Sequence, residues 1–207
     1  MKKKQSLCLA FDTASDITSV AVVSGNGISS VVRMATPRGQ GEVLMSMIQT
    51  ALTQVQKTPK DLTHIAATIG PGSFTGVRIG LATARGLGLA LKLPVFGVDN
   101  FTATAYALKK KMTVVLDSKR DDYFVQDFDA KGNTLTLPML KSTAELKKLM
   151  PFTACGSGAE KLAQEVGCKV ILPKQDLALS AAQIVLKEPQ KTTKPHPLYL
   201  READVTI

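Results

Sequence analysis

At 207 residues the chain is long enough for one large domain or two small lobes with a sizeable core. Its 44% hydrophobic content excludes disorder over most of its length, and 5% aromatics with no Trp leave too little for a platform that stacks single-stranded nucleic acid. The net charge of +9, from 26 basic and 17 acidic residues, is concentrated in short runs at Lys2–Lys4, Lys109–Lys111, Lys119–Arg120 and Lys147–Lys148, which read either as a solvated surface or as a long-range pull on nucleic acid or an acidic partner.

The first hundred residues parse in order. Met1–Phe11 mimics a signal peptide, but Asp12 ends the apolar run too early for an h-region, so Ser6–Phe11 is expected to be a buried strand. Ile17–Ser24 is β-rich, and Gly25-Asn26-Gly27 is a hairpin turn into a strand over Ile28–Met34. Leu44, Met47, Ile48, Ala51, Leu52 and Val55 have helical spacing and predict a helix over Gln40–Val55. A strand over His64–Ile69, a glycine-flanked loop at Pro71–Thr75 and a helix over Val77–Leu91 come next. A strand at Pro94–Val98 then leads to a helix over Phe101–Lys110, capped by Asp99 or Asn100.

The second half repeats that order. Strands are expected at Thr113–Asp117, Tyr123–Phe128 and Thr134–Leu137, then a helix over Thr143–Met150 with Ser142 and Glu145 as a capping box. A strand at Phe152–Cys155, the loop Gly156-Ser157-Gly158 opening another helix, a strand at Lys169–Leu172 and a helix over Ser180–Lys187 complete the repeat. Asp12 and Asp117 close equivalent strands, and Gly70-Pro71-Gly72 and Gly156-Ser157-Gly158 occupy equivalent loops. A Rossmann domain would alternate strand and helix from the start; an opening three-strand meander does not. The expected fold is therefore α/β, a duplicated mixed sheet with helices like that of the actin-like ATPases. The expected lobes are 1–110 and 111–207, the latter including a docked tail from Pro189 onward.

Chemistry concentrates in Ile69-Gly70-Pro71-Gly72-Ser73-Phe74-Thr75-Gly76-Val77-Arg78-Ile79-Gly80. Glycines before a helix let backbone N–H groups point at an anion, which makes Gly72 and Ser73 phosphate or nucleotide candidates; a tight turn that simply packs is the alternative. It is neither a P-loop, since no Lys-Ser/Thr follows Gly76, nor the dinucleotide fingerprint. Asp12 either orients metal-bound water near phosphate, as an Asp in this place does in actin-like ATPases, or caps the Thr13–Ser15 turn. Gly76, Gly80, Ala84 and Gly88 recur every four residues and form a smooth helix stripe. That stripe suits either packing on the chain's own sheet or a helix–helix contact with a second subunit. Only two histidines occur, His64 and His196, so a histidine-rich metal centre is not expected, and Ser73 lacks G-x-S-x-G. Cys8, Cys155 and Cys168 form no C-x-x-C pair and read as small buried hydrophobes in a reducing cytoplasm. No stretch of about 18 uncharged apolar residues occurs, so no membrane span is expected.

The glycine segment Gly70–Gly80 resembles the signature of the TsaB (YeaZ-like) family. Phe11-Asp12-Thr13-Ala14-Ser15, Gly97-Val98, Leu116-Asp117 with Lys119-Arg120, and Pro197-Leu198-Tyr199-Leu200-Arg201 also match family positions, over nearly the whole chain. The resemblance implies a two-lobed actin-like (ASKHA) fold and a subunit without catalytic residues or a metal site of its own. Such a subunit pairs with TsaD through its N-terminal lobe. TsaD then transfers a threonylcarbamoyl group to an adenosine beside the tRNA anticodon, and the ATPase TsaE joins the assembly. No cofactor is implied, though ATP or ADP at the interface of the complex is compatible with it. Homodimers through an overlapping helical surface are also implied, with Met47 and Ala51 joining Gly76, Gly80, Ala84 and Gly88 as interface candidates. tRNA is met only through the complex, although the lysine runs leave direct binding open. Gln40 departs from the family, where relatives often carry histidine. The alternative reading is a small actin-fold ATPase or kinase, or a peptidase, with its own activity.

Overall fold

The computed structural model describes residues 5–27, 29–36, 38–106, 108, 110–173 and 175–201. The Lys2–Lys4 run, Lys109 and the expected strand start at Ile28 lie outside the described residues. Contacts divide the described residues into two compact units, one running to Ala103 with Asp176–Leu198 added, the other Thr104–Gln175 with residues 199–201.

The first unit is built on a five-stranded sheet in the order β3-β2-β1-β4-β5, from β1 (Leu7–Asp12), β2 (Ile17–Ser24), β3 (Ser29–Ala35), β4 (His64–Thr68) and β5 (Val95–Val98). β1 and β2 pair antiparallel with Leu7 opposite Ser24, and β1 and β4 pair parallel with Cys8 opposite His64. Both faces of β1 are covered, which is why it reads as an unbroken apolar run. On the face carrying Leu7, Leu9 and Phe11, helices α1 (Gln40–Gln54) and α2 (Phe74–Leu91) bury Leu44, Ile48, Val77 and Leu81 in one core.

The other face is closed by α6 (Leu177–Lys187), which packs along β1, β2 and β4. Its inward residues Ala178, Ala181 and Ala182 are fully buried, and such short side chains let the helix lie close to Ala10, Ala21 and Ala66 of the sheet. The division therefore differs from the expected boundary at 110/111, because residues 176–198, expected in the second half, pack with the first. The fully buried small faces of sheet and helix match each other, a complementarity that order along the chain does not express. The strap after α6 is held to the same unit. Gly97 and Thr193 exchange both backbone hydrogen bonds at 2.9 Å, and the Leu198 N–H donates to the Ile69 carbonyl at 2.8 Å.

The second unit repeats the order as β10-β9-β6-β7-β8, from β6 (Met112–Asp117), β7 (Asp122–Phe128), β8 (Met139–Ser142), β9 (Thr153–Cys155) and β10 (Lys169–Val170). Helices α4 (Thr143–Lys148) and α5 (Ala159–Val166) cover one face around Val115, Tyr123, Leu146 and Leu162. Ser142 and Glu145 form the expected capping box. The third strand of this unit is Met139–Ser142, not Thr134–Leu137. Residues 134–137 instead meet the end of β7 through an isolated antiparallel bridge between Phe128 and Thr134, with the Leu135 N–H donating to the Asp127 carbonyl at 2.8 Å, and through side chains: Thr136 Oγ1 accepts from the Asp127 N–H at 3.0 Å, and Gln126 donates to the Thr136 carbonyl at 2.9 Å. α3 (Asn100–Tyr106) is shorter than expected, and the break between the units falls within it.

Candidate functional site

The glycine loop 70–73 and the turn after β1 meet in the first unit. Asp12 is almost fully buried, and its Oδ1 accepts from the Ala14 N–H at 3.0 Å and the Thr68 hydroxyl at 2.5 Å. Burial pushes this carboxyl above the ordinary range, opposed by hydrogen bonds from Ser15, Thr68 and Ala14. The facing loop is tied to the same turn. The Ser73 N–H donates to the Ala14 carbonyl at 2.8 Å, and the Thr13 hydroxyl donates to the Gly76 carbonyl at 2.6 Å. Ser73 is the N-cap of α2, its hydroxyl accepting from the Gly76 N–H at 3.2 Å. The loop is anchored behind by Asn100, whose side-chain oxygen accepts from the Gly70 N–H and whose own N–H donates to the Gly70 carbonyl. Gly72 and Ser73 remain exposed, but the loop's Gly70 and Ser73 N–H groups, and that of Gly76 in the first turn of α2, already have partners within the chain.

The glycines of this segment serve close approach. A Cβ on Gly72 would stand 2.5 Å from the Ala14 carbonyl oxygen, and one on Gly76 would stand 1.9 Å from that of Thr13. On Gly80 it would meet the Thr13 hydroxyl at 2.6 Å, and on Gly88 the Val95 side chain at 2.3 Å. The stripe Gly76, Gly80, Ala84 and Gly88 thus faces the chain's own sheet. Met47 and Ala51 are likewise buried in the first unit's core. All six interface candidates are therefore corrected: they lie inside the unit, because small residues every four positions let α2 settle onto the β1 turn and β5. The equivalent loop of the second unit is built alike, with a Cβ on Gly156 only 2.6 Å from the Val115 carbonyl oxygen.

The outward side of α1 and α2 is a different set. Met45 is 54% exposed and Leu89 83% exposed, while Ala82 and Gly86 lie between them on the open side of α2. A Cβ on Gly86 would meet nothing within 4 Å, and one on Gly41 would lie 3.8 Å from Ile79, where the two helices abut. Arg78 lies over the Phe74 ring at 3.7 Å beside this face. Gln40 is buried and donates to the Thr36 carbonyl at 2.9 Å, fixing the entry to α1. In the second unit Arg201 pairs with Asp122, which also accepts from the Ser118 hydroxyl. Thr13 and Thr68 were missed by sequence reasoning. Thr13 sits next to Asp12 and could have been flagged, whereas nothing in the pattern of β4 distinguishes Thr68. Among the described residues no group of three His, Cys, Asp or Glu side chains could hold a metal ion, and no helix is long and apolar enough to cross a membrane.

Comparison with known proteins agrees with this construction. The family described as tRNA N6-adenosine threonylcarbamoyltransferase, TsaD, matches residues 14–198. The tRNA threonylcarbamoyladenosine biosynthesis protein TsaB of Buchnera aphidicola subsp. Schizaphis graminum is 30% identical over 178 residues, covering 79% of this chain and 84% of that protein. The protein of the same name from Escherichia coli K12 is 27% identical over 217 residues, covering 93% and 94%. The solved structure of YeaZ from Pseudomonas aeruginosa superposes with a TM-score of 0.77 at 19% identity, covering 94% of this chain and all of that one. The duplicated mixed sheet is the actin-like ATPase fold, and the chain belongs to the TsaB (YeaZ-like) family, within the wider family of TsaD.

Proposed function

We propose that this chain is a non-catalytic subunit required for tRNA N6-threonylcarbamoyladenosine formation, which binds and activates TsaD together with TsaE in the cytoplasm. Family membership supports the role in that biosynthesis. The subunit reading is supported by the outward face of α1 and α2, where Met45, Ala82, Gly86 and Leu89 form an exposed apolar strip bordered by the exposed charged residues Glu42, Arg78 and Arg85. The candidate phosphate residues support the same reading, since Asp12 and Ser73 are spent on the chain's own turn and helix cap. On this reading TsaD covers the α1–α2 face, a homodimer uses the same face when TsaD is absent, and tRNA is met only through the complex.

The test is tRNA threonylcarbamoylation by TsaC, TsaD and TsaE with and without this chain. Modification should depend on it, and Gly86→Arg, which adds bulk and charge only outward, should weaken TsaD binding at least about tenfold without lowering the melting temperature. Full modification in the absence of the chain would overturn the proposal, and undiminished binding by the variant would move the contact off this face.

A further inference from the structure

The stretch from Leu62 to Val98, which supplies β4, α2 and β5, contains no Asp or Glu, and neither does 189–201. The strap after α6 runs beside the same elements: Thr193 is bridged to Gly97 of β5, and the Arg85 guanidinium donates to the Pro195 carbonyl. Arg78, Arg85 and Lys92 recur every seven residues, which puts the two arginines on the strap-side flank of α2 and Lys92 at its C-cap beyond them. All three are exposed, and from Arg78 to Lys92, 14 residues on, is about 21 Å at 1.5 Å per residue. Lys194, exposed next to Pro195, carries the same charge onto the strap.

The acids of adjoining elements stand apart from this band. Glu42, the one acid of α1, lies back over its own first turn, a carboxylate oxygen 3.6 Å from where a Cβ on Gly39 would stand. Asp99 accepts from the Thr102 N–H and hydroxyl at 2.8 Å each, and Glu188 pairs with Lys191 at 2.7 Å. Four cations thus line the strap-side flank of α2, with the Glu42 carboxylate across the apolar strip from them. A protein surface mixes both signs over such a length, whereas the backbone of an RNA helix is negative throughout. Arg and Lys contacts to phosphate need no aromatic platform, which suits a chain with 5% aromatics.

We propose that in the assembled complex this band contacts the phosphate backbone of tRNA directly, with Arg78, Arg85, Lys92 and Lys194 each neutralising a phosphate. The proposal rests on the role in tRNA modification given above and adds to it a contact made by this chain's own surface.

The experiment is tRNA binding by the complex of this chain with TsaD, followed by fluorescence anisotropy from about 50 to about 200 mM salt. Lys92→Glu with Lys194→Glu leaves Arg85 and its hold on the strap in place. It should weaken tRNA binding about tenfold at the lower salt and reduce the slope of log affinity against log salt by about 2. In threonylcarbamoylation it should raise KM for tRNA and leave kcat unchanged. The loss should be the same for a tRNA that lacks the modifiable adenosine, because phosphate contacts carry no sequence information. Affinity for TsaD, measured without tRNA, should match the wild type. Lys147→Glu with Lys148→Glu, two exposed positions of the second unit, is the control and should change tRNA binding by less than about twofold. Unchanged tRNA affinity or an equal loss in the control would overturn this proposal and leave the subunit reading standing. A loss of TsaD affinity would overturn it too, by giving the band to an acidic edge of TsaD. Modification that proceeds without the chain would overturn both.

Discussion

Replacing Gly76 by alanine should destabilise the protein, although glycine-to-alanine inside a helix ordinarily stabilises by about 1 kcal/mol. The added Cβ would stand 1.9 Å from the Thr13 carbonyl oxygen and 2.8 Å from its carbon, both backbone atoms that no rotamer change can move. Relief requires α2 and the β1 turn to part by about 1 Å or more. That strains or breaks the Thr13–Gly76 bond at 2.6 Å and the Ser73–Ala14 bond at 2.8 Å. Two hydrogen bonds at roughly 0.5–1.5 kcal/mol each, plus roughly 1–3 kcal/mol for overpacking, exceed the helix gain and leave a net loss of about 1–5 kcal/mol. Gly86→Ala is the control on the same helix. Its Cβ meets nothing within 4 Å, so it should stabilise by about 1 kcal/mol. Urea unfolding followed by far-ultraviolet circular dichroism reads both as midpoint shifts at constant slope. A Gly76→Ala variant as stable as the wild type would refute the close-approach account of the glycine segment.

The buried Asp12 carboxyl, raised by desolvation, makes the folded state bind its proton more tightly than the unfolded chain does. Stability is therefore fullest below the unfolded value near 3.8 and declines as pH rises through the raised folded value; Asp12→Asn should flatten that decline in urea titrations at pH 4 and 7. Asp12→Ala, by contrast, strands the Ala14 N–H and Thr68 hydroxyl and should cost about 2–4 kcal/mol in the same assay. Thr18 is fully buried with a hydroxyl that has no hydrogen-bond partner among the described residues, so Thr18→Val should raise stability by about 1 kcal/mol, seen as a higher unfolding midpoint. Burial pushes the Cys8 thiol up, the Cys155 thiol up to about 12 and the Cys168 thiol up as well. A disulfide reagent at pH 8 should leave all three thiols unreacted in the folded protein and modify them quickly in denaturant; fast reaction in buffer would contradict their burial.

Period and punctuation made much of the architecture legible in the chain itself. The closed apolar run of β1, the Gly25-Asn26-Gly27 turn, the helical spacing of α1 and the Ser142–Glu145 box are local signals, each set by contacts within a few residues. The duplication was legible for the same reason, and with it the actin-like fold. What failed was long-range. Residues 134–137 looked like a strand, but the ladder beside β7 was taken by Met139–Ser142, because register is decided by the partner and not by propensity.

The glycine segment shows the same division. Its composition announced that something must come very close to α2, a requirement that follows from glycine's missing Cβ. Only the tertiary structure decided what comes close: the carbonyls of Thr13 and Ala14 rather than a second subunit. It likewise decided that α6 closes the first sheet from 159 residues away, where the Ala178 N–H reaches the Ser19 hydroxyl. Spacing along a helix states which side chains share a face, whereas the identity of the surface opposite depends on how all the elements bury their apolar area together.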